Sequence, residues 1–112
     1  MKLCNLHPID ISVGQIGTTV RRGNKWFNQA KPQQEIELCV CNEAGNHNVV
    51  GVGIIEEMLF ITFSEIPARL IESEHQMASR LYSGLLYSMR KAYGKDFNES
   101  ELVTVIKYRR VK

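Results

Sequence analysis

The stretch EIELCVCNEAGNHNVVGVGII, Glu35–Ile55, decides how the chain folds. Its first seven residues alternate strictly: Ile36, Leu38 and Val40 point to one face, and Glu35, Glu37, Cys39 and Cys41 to the other. That pattern predicts a half-buried strand. Residues 42–48 form a polar loop around Gly45, and Val49–Ile55 returns as the second strand of a hairpin. Gly51 and Gly53 share a strand face, so a sharp bend or a second backbone close by is expected there, as at a barrel corner.

Outward from the hairpin, Glu56 and Glu57 interrupt the apolar pattern and Met58–Phe63 resumes it as another strand. Ser64–Pro67 reads as a helix opening or tight turn, because Pro67 cannot sit deep inside a helix. Ala78, Leu81, Tyr82, Leu85, Met89 and Ala92 recur at helical spacing and predict one long helix over Glu74–Tyr93. Gly94 suits the residue that ends it, and Arg90 and Lys91 complement the negative end of its dipole. Leu102–Val111, rich in β-branched residues, is the closing strand. Towards the N-terminus, Thr18–Arg22 reads as a short strand stopped by Gly23-Asn24. Leu6–Val13 is open: Pro8 could start a helix at Ile9, or the segment is extended. The order strand, strand, strand, strand, helix, strand predicts an α+β fold. Its sheet is small, mixed and strongly curved, or closed to a barrel, with one major helix and short helical turns.

With 112 residues, 44% of them hydrophobic and 23% charged, the chain is read as one globular domain over 1–112, not a disordered segment. No apolar run is long enough to span a membrane, so no membrane partner is expected. MKLCNLHPIDIS lacks the apolar core of a secretory signal, and three cysteines is an odd number. Together these predict a cytoplasmic protein with reduced thiols.

The net charge of +2 is unevenly spread. Residues 1–34 carry five Lys/Arg and one acid, residues 35–76 one Arg and eight Glu, and residues 77–112 eight Lys/Arg and three acids. If the basic ends meet in space they form a face for an anionic partner. Within the first block, GQIGTTVRRGNKW (Gly14–Trp26) concentrates Arg21, Arg22, Lys25 and the one tryptophan. Arginine's planar fork suits phosphate, and a base could stack on Trp26 if its ring is exposed. Neighbouring strand residues point to opposite faces, so only one of Arg21 and Arg22 can face a cleft.

These pieces resemble the ASCH family, small proteins with a barrel like that of the PUA RNA-binding domain. The resemblance runs from about Ile11 to Val111. It rests on Gly14–Arg21, on VVGVGIIEEM, on FSEIPARLIESEH and on SMRKAYGKDFNESELVTVIKYRRV. It implies a PUA-like fold that binds RNA or a nucleotide-like ligand. One branch of the family hydrolyses acetylated cytidine with a lysine, a threonine and a glutamate. Laid on this chain, the threonine is Thr19 and the glutamate is Glu74 or Glu72. Ile16 stands where the lysine would be. A threonine hydroxyl needs a base beside it to attack an amide, so binding is expected here and amide hydrolysis is the alternative. A third reading is a small protein-interaction module of a phage or prophage, docking through the acidic middle segment.

No cofactor is expected, since GQIGTT lacks the spacing and lysine of a phosphate-binding loop. Cys39 and Cys41, with His47, Cys4 and His7, could in principle hold zinc, but their spacing fits no zinc knuckle, so no metal is expected. His75 and the Glu56-Glu57 pair are read as polar surface.

Overall fold

The structure is a computed structural model that describes residues 2–5, 9–42 and 44–112. Its frame is a five-stranded sheet: β1 (Lys2–Asn5), β2 (Ile16–Arg22), β3 (Glu35–Cys41), β4 (His47–Thr62) and β5 (Leu102–Arg110). The strands lie in the order β1-β3-β4-β5-β2. The β1–β3 pair is parallel and the others are antiparallel, which makes the sheet mixed. Among the described residues three helices accompany it: α1 (Lys25–Gln29), α2 (Ala68–Glu72) and α3 (Tyr82–Tyr93), with 3₁₀ turns at Phe63–Glu65 and Met77–Ser79. This is the expected small, strongly curved α+β architecture. Leu6, His7 and Pro8 lie outside the described residues, and residues 9–15 form neither helix nor strand.

The two strands expected at Val49–Ile55 and Met58–Phe63 are one, β4, sixteen residues long. Glu56 does not break it. Ile55 pairs with Tyr108 and Glu57 with Lys107, so Glu56 is an extra residue in the ladder. A bulge of this kind bends and twists its strand, and so curls the sheet. A second irregularity lies between Leu38 and Cys39, whose partners are Gly51 and Val49. Beyond it the strict alternation read for Glu35–Cys41 fails: Cys39 is fully buried and Val40 only half-buried. Gly51 meets the expectation of a close backbone. A Cβ there would collide with the carbonyl oxygen of Lys112, and the Val52 N–H donates to that same oxygen at 3.1 Å.

The sheet's two edges, β1 and β2, are brought together by one side chain. Arg21 of β2 donates from Nη1 to the Cys4 carbonyl at 3.0 Å and from Nη2 to Asn5 Oδ1 at 2.9 Å, both on β1. The outer edge of β2 is further occupied by a short parallel strip. Thr18 N–H donates to Ser73 O and His75 N–H to Thr18 O, each at 2.8 Å, with Glu74 opposite Thr18. Backbone groups that would otherwise be left at an edge are thereby paired.

That strip also corrects the long helix. Residues 74–81 direct their backbone groups to β2 and to local turns, and Leu81 is extended, with φ −114° and ψ 150°. The helix therefore begins at Tyr82, eight residues later than its apolar spacing predicts, and Leu81 is 74% exposed. Leu85 and Met89 do form its buried stripe. Gly94 ends it with φ 110°, a conformation few other residues adopt, and its N–H donates to Arg90 O at 2.9 Å.

Burial is shared between two clusters on either side of β5. Val103 and Val105 pack with Val20, Phe63, Leu70, Leu85 and Met89 beneath α2 and α3. Ile106 and Tyr108 pack with Leu3, Ile36, Leu38 and Ile55 inside the curl. β5 is thus apolar on both faces, as a central strand should be. Neither β1 nor α1 is anticipated by the sequence. Each is too short to show a period, and β1 is held by the burial of Leu3.

Candidate functional site

Where β1 and β2 meet under α3, the surface opens into a cleft of about 300 Å³. Cys4 and Asn5 of β1, Thr19 and Arg21 of β2, Glu74–Gln76 of the edge strip, and Ser88, Lys91 and Tyr93 of α3 are among its walls. Its polar groups come from four segments: β1, β2, the edge strip and α3. Of the residues singled out in the sequence, the structure places Thr19, Arg21 and Glu74 here and leaves Arg22, Lys25 and Trp26 outside.

Arg21 is oriented by its two hydrogen bonds to β1, while its Nε is buried with no acceptor among the described residues. Arg22, one residue on, points away and pairs with Glu101 at 2.7 Å near solvent. Lys25 and Trp26 lie on α1, with Trp26 packed partly against the inner apolar cluster. β2 pairs with β5, so the two ends of the chain lie side by side, but Lys107 stands opposite Thr18 and Arg109 opposite Ile16, while Arg21 and Arg22 stand opposite Thr104 and Val103. Much of that charge is already engaged. Arg109 bonds Glu56 at 3.0 Å and the Gly14 carbonyl at 2.7 Å, and Arg110 donates to the carbonyls of Ile11, Val50 and Lys112.

Glu74 and His75 are buried at 3% and 2% exposure. Of the two glutamates open to choice, Glu74 is in the cleft and Glu72 is exposed. Burial lifts the Glu74 carboxyl to about 8, against the pull of the Gln76 N–H, Arg21 and Arg80. At neutral pH it is therefore mostly a protonated acid. His75 is not the polar surface residue its sequence suggests. Burial, with Arg21 and Arg80 nearby, lowers its imidazole to about 3 and keeps it neutral. Its Nδ1 bonds the hydroxyl of Tyr108 at 2.8 Å inside the curl. The 3.4 Å contact between His75 and Glu74 is thus between two uncharged groups at neutral pH, not an ion pair.

Ile16, in the position of the family's lysine, is half-buried at the start of β2 and away from the cleft, whereas Lys91 of α3 lines it. Nothing in the sequence alone signals Asn5, Ser88 or Lys91 as neighbours of Thr19. Their approach depends on which strand becomes the second edge.

A second group of reactive side chains lies at the tip of the β3–β4 hairpin. Cys4 Sγ and Cys41 Sγ each stand 3.1 Å from His47 Nδ1, while Cys39 is buried and apart from them.

No protein-family model matches the sequence, and no curated protein is similar to it. Two solved structures share its fold. One is an ASCH domain from Lactobacillus crispatus, with TM-score 0.60 and 13% identity over 88% of this chain and 65% of that one. The other is a DUF984 protein from Enterococcus faecalis, with TM-score 0.58 and 10% identity over 88% of this chain and 62% of that one. The chain spans just under two thirds of each of these structures. Among the described residues no helix is long and apolar enough to cross a membrane. In fold, then, the chain is an ASCH-like domain.

Proposed function

We propose that the protein binds RNA, or a nucleotide-like ligand, in the cleft between Arg21 and α3. One observation carries this reading. Arg21 lines a cleft whose walls also hold Asn5, Thr19, Glu74, Ser88 and Lys91, and its buried Nε has no acceptor among the described residues. A buried donor without a partner is costly, and an incoming phosphate or base oxygen would satisfy it. About 300 Å³ is at the small end of ligand sites, room for one nucleoside unit and not for a duplex. Single-stranded RNA with a base turned out of its stack fits that size. The ASCH-like fold is compatible with such a role.

The test is fluorescence anisotropy with a short labelled single-stranded RNA at two salt concentrations, with nucleoside monophosphates as competitors. Arg21→Lys keeps the charge but loses the fork, and binding weakens by about 10-fold. Lys91→Ala, at an exposed position, lowers the slope of affinity against salt by about 1. Salt-independent binding, or binding indifferent to both changes, would sink the reading.

A second reading rests on Thr19 and Glu74 lining one cleft together with Lys91. In it a lysine from α3 takes the place that Ile16 leaves vacant, and the protein hydrolyses an acetyl amide on cytidine. Acetate release from acetylcytidine that vanishes in Thr19→Ala is the expected result. No turnover at high protein concentration rejects it.

A further inference from the structure

We propose that Cys4, Cys41 and His47 form a binding site for a zinc-type metal ion. The three come from separate pieces of the fold: β1, the last residue of β3 and the first of β4. The strand register assembles them. Cys41 and His47 face each other as the last rung of the β3–β4 ladder, and Cys4 sits opposite Cys39, two residues before Cys41. Their ligand atoms all lie within 4.8 Å of one another, and both sulfurs are 3.1 Å from His47 Nδ1.

Zinc–sulfur bonds of about 2.3 Å and zinc–nitrogen bonds of about 2.0–2.1 Å place the ligand atoms of a tetrahedral site about 3.5–3.8 Å apart. The sulfur–nitrogen separations are within about half an ångström of that spacing. Two thiolates and an imidazole, with no carboxylate among them, select a borderline-soft ion such as zinc over magnesium, calcium or manganese. Three protein ligands leave a fourth position for water or another donor. Cys39, the nearest other thiol in sequence, is no ligand. It is fully buried, with its sulfur 4.0 Å from the Glu37 carbonyl.

The ion would tie a four-residue edge strand to the hairpin beside it. The Cys4 carbonyl is one of the two acceptors of Arg21, so the same strand closes the sheet. Cys4 is also part of the cleft wall, but the test of the metal site makes no use of RNA.

The experiment titrates the reduced 112-residue chain with Zn²⁺ against a chromophoric chelator, and with Co²⁺ as a spectroscopic probe. Expected are one equivalent of zinc per chain, a thiolate-to-cobalt charge-transfer band, and a higher unfolding midpoint with zinc than without. His47 is exposed, so His47→Ala keeps the fold while weakening zinc binding by at least about 10-fold. Cys41→Ser, which leaves Cys4 as a thiolate ligand, weakens the charge-transfer band and lowers zinc affinity, and Cys39→Ala leaves both zinc affinity and band in place. The proposal fails if the reduced wild-type chain takes up no zinc, or if His47→Ala and Cys41→Ser bind it as tightly as wild type.

Discussion

Arg21 and Arg22 are adjacent and equally charged, yet they belong to two different regions of the molecule. On the cleft side of β2, Arg21 is held by a backbone carbonyl and an asparagine and joins the two edges of the sheet. On the outer side, Arg22 meets Glu101 with 45% of its side chain exposed, much as Arg109 meets Glu56 and Arg69 meets Glu57. The difference lies in solvent. Bonds of a shielded guanidinium to neutral acceptors fix geometry, while exposed ion pairs are screened and worth little. The charge blocks along the chain say nothing about which kind of arginine each will become.

The comparison is most exposed at Arg21 itself. Arg21→Ala removes both links to β1, and destabilisation by about 2–3 kcal/mol is expected in urea unfolding. A variant as stable as wild type would mean that backbone pairing alone closes the sheet. The acidity of the cleft offers the next test. Glu74 has a folded value of about 8, raised from 4.5, so the folded state holds its proton more tightly and stability falls as pH rises from about 4.5 to 8. His75 is lowered from 6.5 to about 3, so it adds stability as pH rises across that window. The two slopes oppose each other between about pH 4.5 and 6.5. Above that only Glu74 acts, and stability drops by up to about 1.4 kcal/mol per pH unit until about pH 8. Glu74→Gln abolishes that alkaline drop, as denaturation at stepped pH can show; an unchanged drop would place its origin elsewhere. The smallest effect belongs to the outer side. Arg22→Ala leaves the unfolding midpoint within about 3 °C of wild type by calorimetry. A loss to match that of Arg21→Ala would erase the distinction between the two regions.

Much of the architecture is legible in the chain because it is local. The alternation over Glu35–Leu38, the glycines at 51 and 53, the β-branched run after Leu102 and the Leu85–Met89 stripe each carry a period or a steric demand that survives without tertiary context. The start of α3 is not legible. Residues 74–81 keep helical spacing, but their backbone groups find partners on the edge of β2 and in turns. The site was half legible. Thr19, Arg21 and Glu74 are reached through family likeness, while His75 reads as surface and lies in the interior because its imidazole finds the Tyr108 hydroxyl there.

The sequence by itself determined the strand-rich α+β class, the hairpin, the close approach at Gly51 and the glycine that ends α3, since periodicity and backbone sterics act over a few residues. The tertiary structure alone decided that β1 and β2 become the meeting edges, that Glu74 loses its water and keeps its proton, and that Cys4 joins Cys41 and His47. Those outcomes depend on strand order, bulges and burial, and they bring together residues that no spacing along the chain relates.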